Sequence, residues 1–177
     1  MTAPQRFPLR SRILHWLTAV LVFAALLIGF TMINALGSYA ALVGVHMTIG
    51  VTILVVTVVR LINRLRSTPP NWPSTIGRLE GRIVSLSERA MYTLLLAQPL
   101  VGWAMVSAAG RPPVVFGGWH LPRIAPFDAD VYAVLRQTHT VLAVLLVVVI
   151  AAHVSAILLH TLTLRDGMLS RMTFSKR

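Results

Sequence analysis

The sequence predicts an all-α membrane protein, a four-transmembrane-helix bundle, and three observations carry that expectation. The 177 residues are 56% hydrophobic and 12% charged, with mean hydropathy +0.76, outside the range of soluble globular chains. The apolar residues gather into four runs of about 20 residues or more, enough to cross the hydrocarbon core of a bilayer as a helix. The charges lie between these runs and at their ends. Length suggests a single domain over residues 1–177. A pI near 11.8 and net charge of +11 would suggest nucleic acid for a soluble chain. Here the sixteen basic residues flank apolar runs, so they read as topology signals and contacts to membrane lipids, with no nucleic-acid partner.

The first helix is expected over about 13–33, preceded by Arg6, Arg10 and Arg12. A cleaved signal sequence has a similar basic start but a shorter apolar core, so this run reads as a span. His15 and Trp16 stand where a spanning helix meets the interface, which suits amphipathic rings. After a short loop without basic residues, a second helix over about 41–62 carries His46 one turn inside its start, and Arg60, Arg64 and Arg66 close it. Residues 67–82, with Pro69, Pro70, Pro73 and several charges, read as a polar loop. The third helix, about 86–108, contains Pro99 and should kink there. A loop over 109–130 carries four prolines with Phe116, Trp119, His120 and Phe127, and its aromatic content suggests that part of it folds back against the membrane surface. The fourth helix is expected over about 133–164.

Counting Lys and Arg by side gives the orientation. Thirteen fall on the side of the termini and three, Arg111, Arg123 and Arg136, on the other. The positive-inside rule therefore places both termini in the cytoplasm.

Histidines carry the chemistry. His139, His153 and His160 are the only ionisable groups between Arg136 and Arg165. An ionisable residue within a span is expensive and points to function. His139 and His153 are fourteen residues apart, hence within about 40° of one helix face and about 21 Å apart along its axis. Two further histidines lie at matching depths: His46 with His139 on the outer side, and His15 with His153 on the inner side. Facing helices that present imidazoles at equal depth can hold a haem iron by its two axial positions. The pattern therefore implies two haems of the b type, ligated by His15, His46, His139 and His153 and stacked across the bilayer as a path for electrons. His160, twenty-one residues from His139, would push a haem into the headgroups. The chain has no cysteine, which excludes disulfides, cysteine-held iron–sulfur clusters and covalent c-type attachment. Thr48, Thr138 and Ser155 are candidate partners for the second ring nitrogen of the ligands. Gly44, Gly50, Ala143, Ala151 and Ala152 either make room for a flat macrocycle or simply let helices pack closely.

Several motifs together resemble the bacterial cytochrome b561 family. They are Arg12-x-x-His15-Trp16, the His46 segment ending in Val59-Arg60-Leu61 and followed by Pro69-Pro70, Ala97-x-Pro99-x-x-Gly102, and Arg136-x-x-His139 with His153. The resemblance covers essentially the whole chain. It implies a multi-pass, four-helix di-haem b protein of the bacterial inner membrane, with the ligands on the four histidines named above. The family includes superoxide oxidases, which pass electrons from periplasmic superoxide to ubiquinone. The segment Ser87-Glu88-Arg89 departs from relatives that carry a histidine there.

Both ends of an electron path need a site. On the inner side, His160 either hydrogen-bonds a quinone carbonyl and exchanges its proton, or is solvated by headgroups. Arg78 and Arg82 either assist a quinone or haem propionates, or are solvated loop charges. On the outer side, Arg111 and Arg136 would concentrate a small anion such as superoxide by local field focusing, or pair with propionates, the role favoured for Arg136. Trp119 and His120 would shape the opening. The expected activity is thus that of an oxidoreductase taking electrons from superoxide or another periplasmic donor and reducing ubiquinone. Two alternatives remain: a cytochrome b anchor subunit serving a partner dehydrogenase or hydrogenase, and a haem-free transporter or scaffold whose histidines relay protons.

Overall fold

In a bilayer every backbone polar group must find its partner within the protein, so apolar runs of this length become helices. A computed structural model of the chain describes residues 6–34, 37, 39–68, 70, 76–111 and 113–174. Four helices in it are long and apolar enough to span a membrane: α1 (Leu9–Asn34), α2 (Tyr39–Leu65), α3 (Arg78–Ala108) and α4 (Ala129–Leu158). α4 continues as one π-helical turn, Leu159–Leu164, which ends on Arg165 in the left-handed conformation. Their outward faces carry exposed Val, Leu and Phe side chains, as lipid contact requires.

α3 begins eight residues before the expected start at 86. Arg78–Arg82, read from the sequence as the end of a polar loop, instead forms its first turns, with Gly77 as N-cap. Mixed charges and apolar residues conceal the start of this helix from a reading by hydropathy. Pro69 and Pro73 of that loop lie outside the described residues. α4 begins four residues earlier than expected because Asp128 caps it, its carboxylate accepting from the backbone N–H groups of Asp130 (2.8 Å) and Val131 (2.9 Å). Gly110 ends α3 at φ +77°, and a Cβ there would meet the Phe127 ring at 2.8 Å, so both conformation and space call for glycine.

The loop between α3 and α4 contains a small hairpin, β1 (Val114–Val115) and β2 (Trp119–His120), paired antiparallel with Val115 opposite Trp119. Phe116 and Gly117 at its tip both have positive φ, the requirement of a tight hairpin turn. The hairpin folds over the end of α2, where the Phe116 N–H donates to the Thr48 hydroxyl (3.1 Å). The Trp103 indole donates to the Pro122 carbonyl (2.9 Å) and anchors the rest of the loop to α3.

The helices pack in sequence, α1 on α2, α2 on α3 and α3 on α4, and α4 approaches α3 more closely than α1 or α2. The buried core is a layer drawn from all four: Val22, Ile53, Leu94, Leu95 and Leu146. At the opposite end from the hairpin, the C-terminal segment straps onto α1. The Phe7 N–H donates to the Arg171 carbonyl (3.2 Å), the Trp16 indole to Met172 (2.9 Å) and the Arg12 guanidinium to Thr173 (2.8 Å). Arg171 lies over the Phe7 ring and Arg12 over Phe174. Both ends of the described chain therefore meet at one end of the bundle.

Candidate functional site

The heptad arithmetic that spaces the histidines also places the core between them. Leu146 is seven residues from His139 and from His153, Val22 is seven beyond His15, and Ile53 seven beyond His46. Seven residues return to nearly the same helix face about 10 Å further along the axis. The apolar layer thus separates two levels, each holding one histidine from α4 and one from a facing helix. At one level His15 of α1 faces His153 of α4, with ring centroids 6.3 Å apart. At the other His46 of α2 faces His139 of α4, also at 6.3 Å. Metal–imidazole bonds of about 2 Å put the centroids of two rings on one ion roughly 6 Å apart.

Different groups support each pair. Arg60 of α2 reaches across to α1, its Nη2 3.0 Å from Nδ1 of His15, and its guanidinium lies over the Tyr92 ring at 5.3 Å. A guanidinium only donates, so His15 Nδ1 accepts and the ring proton sits on Nε2, where it would have to leave for that nitrogen to bind iron. At the other level Gln98, next to Pro99 in α3, donates from Nε2 to the His139 backbone carbonyl (3.1 Å) and lies 3.2 Å from His139 Nε2. The Nδ1 atoms of His46 and His139 and Oε1 of Gln98 are buried without a hydrogen-bond partner. Two glycines admit the rings: a Cβ at Gly102 would stand 3.0 Å from His139 Cε1, and one at Gly29 would stand 3.4 Å from His46 Cε1.

These supporting groups differ from those the sequence suggests. The hydroxyls of Thr48 and Thr138 turn back to carbonyls four residues earlier in their own helices, Gly44 and Val134, the usual habit of threonine in a helix. Gly44 and Gly50, by contrast, leave open space, which agrees with room for a flat macrocycle and not with close helix packing. Arg60, read as a closing charge and as part of the Val59-Arg60-Leu61 motif, and Gln98, not singled out at all, are the side chains in contact. A charge and an amide inside otherwise apolar runs were the available signals.

His160 stands apart from both pairs. It is buried, with Nδ1 2.6 Å from Asp166 Oδ2 and Nε2 2.9 Å from Glu80 Oε1. Both ring nitrogens are thus engaged by carboxylates. This arrangement leaves neither free for a quinone carbonyl and does not expose the ring to headgroups, unlike either sequence expectation. Arg111 and Arg136 lie toward the opposite end and are both exposed. Arg136 lines a groove of about 380 Å³ with Tyr132, Ala133, Gln137 and Thr140. Trp119 and His120 are exposed on the hairpin, and the Trp119 ring stands edge-on to Phe116.

The sequence matches the family described as prokaryotic cytochrome b561 over residues 6–175. The chain belongs to the prokaryotic cytochrome b561 family. It is 31% identical over 170 residues, 93% of each chain, to a protein of Yersinia pestis named probable superoxide oxidase CybB. It is 29% identical to cytochrome b561 homolog 2 of Escherichia coli K12, covering 96% of this chain and 92% of that one. Homolog 1 of the same organism is 26% identical, covering 94% and 96%.

Membership makes the chain a multi-pass membrane protein of an electron-transfer family that binds b-type haem in a four-helix bundle. The residues here fit such a group. Among the described residues no group of three or more His, Asp or Glu is arranged so that it could hold a metal ion by itself. Two opposed imidazoles instead suit an ion whose remaining ligands come from a macrocycle. The contacting glycines and the orphaned ring nitrogens fit a flat group at the His46–His139 level, and the wider spacing between α4 and its partners α1 and α2 fits one at either level.

Proposed function

We propose that the chain is a single four-helix unit that binds two b haems, one between His15 and His153 and one between His46 and His139. Its reaction would oxidise superoxide on the periplasmic side and reduce ubiquinone. The observation that carries this reading is the pair of 6.3 Å imidazole couples on opposite sides of the Leu146 layer. When bound, the haems supply one-electron carriers at two depths. The excess of Lys and Arg at the end bearing the termini orients that end toward the cytoplasm of a bacterial inner membrane. His46 and His139 then lie on the periplasmic side.

Arg111 and Arg136, exposed at that end, concentrate a small anion near the outer couple. The name of the Yersinia relative favours superoxide as that anion. Two superoxide anions leave as dioxygen, and the quinone takes up two electrons and two protons to become quinol. On the cytoplasmic side, His160 with Glu80 and Asp166 is the candidate proton-exchanging group, provided a quinone displaces one carboxylate from its ring.

The test is reduction of the purified protein by superoxide, followed through the b-type absorption bands, then reoxidation by added ubiquinone. A haem content of two per chain and both redox steps are expected. Failure of superoxide to reduce the protein, with reduction by a co-purified dehydrogenase, would move it to the anchor-subunit role.

A further inference from the structure

A groove outside the histidine levels lies along the first turns of α3. It has a volume of about 530 Å³ and is lined by Arg78, Arg82, Ser85 and Arg89, with Gly77 and Gly81 among its other walls. These four polar residues recur at i, i+4, i+7 and i+11, so they share an arc of about 60° on the helix. Three guanidiniums therefore project from one face. The two carboxylates of the same segment are committed elsewhere: Glu80 to His160, and Glu88 to Arg64 in a two-pronged pair at 2.7 and 3.1 Å. Among the described residues, none of the three groove arginines forms an ion pair.

A second observation narrows the ligand. The neighbouring strip of the helix carries Leu79, Ile83 and Leu86, which are 71%, 58% and 66% exposed. A free soluble anion has no use for such a strip, whereas acyl chains do. The wall at Gly77 and Gly81 is uncrowded, with nothing within 4 Å of the first and only Ile76 near the second. Guanidinium groups match phosphate oxygens in planar, two-bond geometry, and basic pockets at this membrane depth suit anionic headgroups.

We propose that this groove is a binding site for an anionic phospholipid, whose phosphate lies among Arg78, Arg82 and Arg89 and whose chains run along Leu79, Ile83 and Leu86. The site stands independently of the haem reading.

The test uses the full chain purified in detergent. Native mass spectrometry would count bound dioleoyl phosphatidylglycerol, with dioleoyl phosphatidylcholine and inorganic phosphate as separate arms. The variant Arg78→Gln/Arg82→Gln/Arg89→Gln is compared with Arg6→Gln/Arg10→Gln/Arg66→Gln, which removes equal charge at the same end of the bundle. Affinity for phosphatidylglycerol should fall about fivefold for each groove arginine removed and change little in the second variant. Equal losses in both variants would reduce the effect to diffuse surface charge and overturn the site. So would equal retention of phosphatidylcholine, or displacement of the lipid by inorganic phosphate. Should the triple variant not fold, Arg82→Gln alone carries the comparison: it should weaken phosphatidylglycerol and spare phosphatidylcholine, and no weakening overturns the site.

Discussion

Arg60 of α2 donates to the ring of His15 on α1, with Nη2 3.0 Å from Nδ1. It places a cation against one member of the His15–His153 couple, and its other face rests on Tyr92. A positive charge at this distance favours the electron-rich state of whatever the histidine holds.

Replacing Arg60 by leucine should therefore lower the midpoint potential of the inner haem by roughly 60 mV, equivalent to about a tenfold change in a one-electron equilibrium. Arg60→Lys should recover part of the shift. Potentiometric titration of the two haems reads this directly, and unchanged potentials in Arg60→Leu would remove Arg60 from this role.

His46→Ala should abolish the outer haem and leave the inner one visible, halving the haem content per chain. His15→Ala should do the reverse. Low-temperature absorption spectra separate the two sites, and loss of neither haem in both variants would refute the ligand pairs.

At Gly102 a Cβ would stand 3.0 Å from His139 Cε1, closer than ordinary van der Waals contact, whereas the Gly29 contact with His46 is 3.4 Å. Gly102→Ala should therefore shift or broaden the outer haem's absorption and electron paramagnetic resonance signals with the inner signals unchanged. Gly29→Ala should have a smaller effect at the same site. An inner-haem response, or a larger effect from Gly29, would contradict the packing.

Asp166 binds the ring of His160 through Oδ2, while its Oδ1 accepts from the Met168 N–H (3.0 Å). This ties the C-terminal strap to the end of α4. Asp166→Asn should lower stability by about 1.5–3 kcal/mol, the usual range for a hydrogen bond to a charged group. Thermal melting would show it, together with faster proteolysis of the C-terminal segment. An unchanged melting temperature and cleavage rate would mean that the strap is held by its contacts to α1 alone.

The spans were legible because a bilayer imposes one length and one composition on any helix that crosses it. The start of α3 was not, because Arg78, Glu80 and Arg82 lie where neither rule applies and their helix is made by turns that alternate charge with exposed leucine and isoleucine. Helix arithmetic found the depths of His15, His46, His139 and His153. It did not find their supports, because Arg60 and Gln98 reach their histidines from other helices and such contacts leave no periodic trace. Threonine misled for a related reason: near a candidate ligand it looks like a partner, but in Thr48 and Thr138 the hydroxyl already has its own helix carbonyl. His160 was legible as a special residue, but its two carboxylates, one eighty residues away, were not.

Leu146, at the midpoint of α4 between two histidines, makes this helix intolerant of changes in length. Inserting or deleting a single residue there would turn one imidazole by about 100° relative to the other and break one couple while sparing its twin. A seven-residue insertion would restore the facing but move the couples about 10 Å further apart. Natural gain or loss of residues should therefore accumulate in the connections, while the interval from His139 to His153 stays at fourteen.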